Sequence, residues 1–221
     1  MRTFEELFEI SAQRKGGADE LNAMLSKPKS AKELKSVADD RWLSTATKCI
    51  FQAGFNWKVV ENMWPGFEAA FDGFDVHRCS MLNEEDFDRL VSDTRIVRYG
   101  AKIRSVQENA VFMRALADET GSVAATIADW QSADYIGLLD MLKKRGTRLG
   151  GTTGQYYLRV MGKDSFILTR DVVGRLIAEG VVEKAPTSKK AMQDVQSAFN
   201  TWADQSGRTL TEISRVLALS V

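Results

Sequence analysis

The sequence holds one histidine (His77) and two cysteines (Cys49, Cys79) among 221 residues. A structural zinc site built from Cys and His takes four ligands, so the ligands are too few, and two cysteines make no disulfide framework. No bound metal or other cofactor is expected. No stretch approaches 18 consecutive apolar residues, which excludes a hydrophobic membrane-spanning helix. The segment Met1–Lys15 carries Glu5, Glu6 and Glu9 and lacks the apolar run of a secretory signal, so the expectation is a soluble, cytoplasmic chain with no membrane partner. Prolines are scarce as well: only Pro28, Pro65 and Pro186 occur. Apolar residues recur at three- and four-residue spacing rather than alternating, and the two observations together predict an all-α fold. Net charge is also missing, since 30 Lys and Arg face 30 Asp and Glu. Any attraction to a polyanion must then come from uneven placement.

What is present is a series of amphipathic helices. Leu43–Val60 starts at Ser44 and Thr45 and carries Cys49, Ile50 and Ala53 on a buried stripe, with a break at Gly54. Asn83 is the predicted N-cap of a helix that has Glu84, Glu85 and Asp86 in its first turn and ends near Ser92. Lys102–Ala117 places Ile103, Val106, Ala110, Met113 and Leu116 on one face. Further helices are expected over Ser132–Lys144, Tyr156–Met161, Asp171–Glu179 and Ser188–Gln205. A capping box at Thr209 and Glu212 opens a last one, which ends near Ser220. No internal repeat interrupts the series, and the linker-like stretches are too short to separate independent domains.

The charge is unevenly distributed. Trp64–Asp93 has eight acidic residues against Arg78 and Arg89, a net of −6; Met141–Arg175 has eight basic residues against Asp164 and Asp171, a net of +6. In the basic segment a helix ends in Lys143-Lys144-Arg145-Gly146, Arg148 follows, and Leu149-Gly-Gly-Thr-Thr-Gly154 leads into another helix. Glycines let backbone N–H groups converge on an anion, and a helix start adds its positive dipole end, so such a turn can grip a DNA phosphate. A glycine-capped helical hairpin with a solvated basic rim has the same sequence, and both readings stay open at this point. A Walker loop is excluded, because no Gly-Lys-Ser/Thr follows.

The stretch Phe51-Gln-Ala-Gly-Phe-Asn-Trp57, the acidic helix, Asp93-Thr-Arg-Ile-Val-Arg98, Lys102-Ile103, Asn109-Ala110, Leu142-Lys-Lys-Arg-Gly146 and Gly151-Thr-Thr153 resemble, in order and spacing, the bacterial 3-methyladenine DNA glycosylase I family. The resemblance covers about Trp42 to Arg175, and both ends of the chain diverge. It implies a zinc-free, all-α helix-hairpin-helix DNA glycosylase fold over residues 1–221, a single domain that two helical subdomains flanking a base-binding cleft could compose. It also implies a protein that acts as a monomer on double-stranded DNA containing alkylated bases, flips a purine, most simply 3-methyladenine, and hydrolyses its N-glycosidic bond. Leu149–Gly154 is then the hairpin. Lys143, Lys144, Arg145 and Arg148, with the backbone of Gly150, Gly151, Thr152, Thr153 and Gly154, bind DNA. Trp57 falls on the family's pocket tryptophan, with Phe51, Trp42, Tyr156 and Tyr157 as further stacking surface.

Two departures from the family accompany this. Its base-contacting glutamate, three positions before Gln-Ala-Gly, is Cys49 here, and a thiol supplies neither the charge nor the hydrogen bonds of a carboxylate. That replacement keeps a second function open, a non-catalytic binder of damaged DNA on the same scaffold. The family's zinc ligands after the hairpin helix correspond to Asp171 and Arg175, which at i,i+4 can form a helical ion pair instead. Asp171 is a candidate catalytic acid, two residues after Thr169, where relatives in the wider superfamily carry one; Glu61, a turn after Trp57, is another. No lysine follows Gly154 as in lyase relatives, so the expected enzyme is monofunctional. Lys102 and Asn109 match the family pattern and have evident structural uses, as caps or as partners of the acidic helix.

Overall fold

The computed structural model describes all 221 residues, Met1–Val221. Its helices, in chain order, are α1 (Phe4–Lys15), α2 (Ala18–Ala23), α3 (Ala31–Lys35), α4 (Asp39–Gln52), α5 (Trp57–Ala70), α6 (Val76–Ser80), α7 (Glu84–Ser92) and α8 (Gly100–Thr120). They continue as α9 (Val123–Asp129), α10 (Tyr135–Arg145), α11 (Gly151–Met161), α12 (Arg170–Ala178), α13 (Lys189–Ser206) and α14 (Leu210–Leu219). Single 3-10 turns at Asp72–Phe74 and Ser132–Asp134 complete an all-helical chain without strands.

Most helix starts follow from their caps. Asn83 accepts from the Asp86 amide while Asp86 reaches back to the Asn83 amide, and the Thr209–Glu212 box opens α14 in the same way. Each such cap satisfies amides that have no intrahelical acceptor and contributes about 1 kcal/mol. Two boxes outside the sequence reading, Thr3 with Glu6 and Ser30 with Glu33, open α1 and α3. The break expected at Gly54 divides Leu43–Val60 between α4 and α5, whereas α4 begins at Asp39, ahead of the expected start at Ser44 and Thr45. Gly54 takes φ 70° in the link, and Asn56 caps the restart at Trp57 by accepting from the Lys58 and Val59 amides.

The hairpin helix also differs from expectation, because α11 begins at Gly151 rather than Tyr156. Gly154 is buried inside that helix, where a Cβ would collide with the carbonyl of Leu149, so this glycine serves close packing and not a loop.

The chain divides into two compact units. The first comprises Met1–Lys29, Trp130–Leu138 and Gly162–Val221. Its core centres on Phe166, which lies edge-on to Tyr135 at 4.8 Å and stacks on Phe199 at 4.4 Å, with Trp202 beyond. Here the expected Asp171–Arg175 pair is not formed. Arg175 turns instead to Glu179 one turn on (3.2 Å) and to Ser220, donating to its Oγ (2.7 Å) and its carbonyl. Glu179 in turn accepts from the Arg2 amide (2.8 Å) and guanidinium (2.6 Å). The physical reason is burial: Asp171 lies in the exposed first turn of α12, whereas Arg175 and Glu179 are buried and each needs a charged partner. Burial alone would raise the Glu179 carboxyl, but the hydrogen bonds from Arg2 and Arg175 outweigh it and hold the group below the usual carboxylate range. The network joins both ends of the chain to α12.

The second unit comprises Ser30–Asp129 and Leu139–Met161. In it α4 packs against α5, α8 and α11. Trp42 meets Tyr157 edge-on at 6.1 Å, and a ladder of stacked rings runs from Phe67 through Trp64 to Phe74. Glu68 collects the Arg41 guanidinium, the Ser44 hydroxyl and the Trp64 indole, which ties α4 to α5. No helix of the protein is long and apolar enough to cross a membrane.

Candidate nucleic-acid interface

The second unit carries most of the residues singled out in the sequence. Its hairpin is the part of α10 from Leu139 on, the turn Gly146–Gly150, and α11. Buried Asn109 on α8 clamps that turn by donating to the Thr147 carbonyl (3.0 Å) and accepting from the Thr147 amide (2.8 Å). Arg148 adopts φ 60°, a left-handed conformation that is uncommon for a side chain of this size. Gly151 at φ 59° then starts α11, and the first amides of a helix have no intrahelical acceptor.

The basic rim is not uniform. Lys144 pairs with Asp140 at 2.6 Å, and Arg145 makes a two-pronged contact with Glu119 at 2.7 and 2.8 Å while lying over the Phe112 ring. Lys143 and Arg148 are exposed and make no ion pair, which leaves them as the free cations of the hairpin.

Beside the hairpin stands the α4–α5 link. Lys102 on α8 donates to the carbonyls of Phe51 (3.1 Å) and Ala53 (2.8 Å), so its ammonium closes the C-terminal end of α4. Burial and the nearby Arg148 charge lower its pKa. Pairing with the acidic helix falls instead to Arg104, which grips Glu84 at 2.9 and 3.0 Å. The clipped link ends in Trp57, which is 50% exposed and meets Tyr156 of α11 edge-on at 5.3 Å. Phe55, 45% exposed, projects from the same link.

Tyr99 is a third exposed ring, at 51%. It sits at the end of the Asp93–Arg98 motif, where Asp93 accepts from the Arg95 amide (2.9 Å) and guanidinium (2.7 Å). Those bonds hold the Asp93 carboxyl down at about 2. Gly66 lets the Arg95 carbonyl approach α5, since a Cβ there would collide with it.

The remaining candidates lie elsewhere. Trp42 and Phe51 are wholly buried, Trp42 donating to the Val37 carbonyl and Phe51 packed edge-on against Phe67, so neither presents a ring to solvent. Cys49 is buried, and burial pushes its thiol up to about 12, so it is neutral at physiological pH. Glu61 is exposed and paired with Lys48 (2.9 Å). Asp171 is exposed and belongs to the first unit. Thr169 caps α12 by accepting from the Val172 amide. No three His, Cys, Asp or Glu side chains converge in a way that could hold a metal. Sequence reasoning missed Phe55 and Tyr99 as exposed rings. The available signal was their position, each one or two residues from a motif break.

The fold is that of an all-α helix-hairpin-helix glycosylase. A crystal structure of 3-methyladenine DNA glycosylase I superposes with a TM-score of 0.50 at 24% identity, covering 62% of this chain and 82% of that one. A Methanocaldococcus jannaschii 8-oxoguanine glycosylase/lyase, solved with 15mer DNA containing 8-oxoguanine, gives 0.53 at 13% identity over 96% and 95%. Within that class, residues 38–143 match the methyladenine glycosylase family, which is the family whose motifs the sequence resembles. Over 59 residues the chain is 37% identical to DNA-3-methyladenine glycosylase 1 of Escherichia coli (strain K12). That stretch spans 27% of this chain and 32% of the relative.

Proposed function

We propose that the chain is a monofunctional DNA glycosylase that removes an alkylated purine, 3-methyladenine in the first instance, from double-stranded DNA. The observation that carries the reading is the pairing of Trp57 with Tyr156: a half-exposed indole is braced by a ring on the hairpin helix itself. A base extruded from the stack needs an aromatic face, and the strand that releases it needs a phosphate anchor close by. Here the two come together at α11, whose Tyr156 braces the Trp57 indole and whose first amides, with Arg148 and Lys143 as free cations, form the anchor. Methylation at a ring nitrogen makes the adenine cationic and a good leaving group. Binding and orientation can then supply much of the rate, and Asp171 and Glu61 are the carboxylates to test as assistants.

Incubation of the purified protein with methylated duplex DNA tests the reading, and release of free 3-methyladenine is the expected result. A Trp57→Ala variant should lose most of that release while remaining folded, and loss of release in neither Asp171→Asn nor Glu61→Gln would leave catalysis to binding alone.

The neutral, buried Cys49 favours a second reading, a binder of damaged DNA without catalysis, because no carboxylate stands at that position to meet a cationic base. Tight, salt-sensitive binding of methylated DNA with no base released would decide for it.

A further inference from the structure

Two of the three exposed rings, Phe55 and Tyr99, have no role in the proposal above. Tyr99 stands out by its surroundings. Its ring has the Lys102 ammonium at 5.7 Å and the Arg148 guanidinium at 5.8 Å, so it is an exposed aromatic ring with two cations beside it. Arg148 reaches it from the hairpin turn through a left-handed backbone conformation, and Asn109 holds the neighbouring residue of that turn in place. Lys102 reaches it while holding the carbonyl of Ala53, two residues before Phe55. Arg98 precedes the ring and Lys58 follows Trp57; both are exposed and make no ion pair. Unpaired cations thus stand next to exposed rings in the sequence at Trp57–Lys58 and at Arg98–Tyr99, and Arg148 of the hairpin turn adds a further cation at Tyr99.

Rings and cations side by side fit a nucleic-acid strand, in which flat bases and phosphates lie side by side. A protein partner would meet unpaired positive charge beside both Trp57 and Tyr99. We infer that Tyr99, flanked by Arg98 and Arg148, is a stacking platform for an unpaired nucleobase of the DNA other than the excised one, namely the base left without a partner once the damaged nucleotide has been extruded. The inference rests on the proposed glycosylase reading and adds to it a contact with the opposite strand. It assigns Trp57 and Tyr99 to different bases, so the protein senses an intact complementary strand while it holds the lesion.

The test uses the full chain and two duplexes, each carrying a tetrahydrofuran abasic analogue at one site. One has an adenine or thymine opposite; the other has a second tetrahydrofuran there. Stacking of a base on an aromatic ring changes affinity by roughly fivefold to a hundredfold, so the wild type should prefer the first duplex by at least about fivefold. Tyr99→Phe should keep the preference, and Tyr99→Ala should abolish it without changing binding to the second duplex. Equal wild-type affinity for both duplexes overturns the inference, as does a preference that survives in Tyr99→Ala; in either case binding that still depends on Lys143 and falls with salt leaves the glycosylase reading intact. Failure of the wild type to bind either duplex overturns both.

Discussion

The two units use charge in opposite ways. In the first, Arg175 and Glu179 are buried and turn their charged groups to each other and to internal partners, Arg2 and Ser220 at the chain ends. In the second, Lys58, Arg98, Lys143 and Arg148 are exposed and make no ion pair, and Trp57 and Tyr99, next to Lys58 and Arg98, are among its most exposed rings. A buried ion pair adds little net stability over an apolar pair but is costly to break, so it fixes one arrangement of the chain ends. A free surface cation costs little and holds nothing together, which leaves it available to a ligand. One unit is built to be closed and the other to meet something.

The comparison breaks most readily at Glu179. Glu179→Ala should leave Arg175 buried without a carboxylate and destabilise the protein by about 3–5 kcal/mol in denaturant unfolding. Its free-cation counterpart Arg148→Ala should change stability by no more than about 0.5 kcal/mol. Equal losses would erase the distinction. Gly154→Ala is the corresponding packing test in the second unit, where a methyl group driven into the Leu149 carbonyl should cost about 1–3 kcal/mol by the same measurement.

A pH titration sharpens the contrast. The Glu179 carboxyl is held below its ordinary value in the folded state, so its stabilisation is complete above the ordinary carboxylate range and is lost as pH falls through the folded value. Melting temperature measured downward from pH 6 should therefore drop more steeply for the wild type than for Glu179→Gln.

The smallest effect separates cations within the hairpin. Lys143→Ala should lower the salt slope of DNA binding by about one ion, whereas Lys144→Ala should lower it by less, since Lys144 is already engaged with Asp140.

Much of this was readable from the residues. Local rules located the caps at Asn83, Ser188 and Thr209, because a cap is decided within four residues. The same rule would have found α1 and α3 from Thr3 with Glu6 and Ser30 with Glu33. Local rules failed where a distant neighbour decides. Gly154 looks like a loop glycine until the Leu149 carbonyl is placed above it, and Arg175 looks like a partner for Asp171 until burial sends it to Glu179. Trp57 and Tyr156 were both singled out as candidates, but their edge-on meeting joins residues 99 positions apart and no spacing rule reports it. Tyr99 was missed because exposure of a ring is a property of packing, and its place just after the Asp93–Arg98 motif marks a break without saying whether the ring is buried.

Asn109 gives the turn residue Thr147 both a donor and an acceptor, the two bonds a neighbouring strand would supply in a sheet protein. An amide in a surface turn ordinarily exchanges with solvent in local openings. The Thr147 amide, held by a side chain buried in α8, should exchange at the pace of the helix interior instead. The hairpin would then be ordered before any phosphate arrives, and binding would incur no cost for organising it.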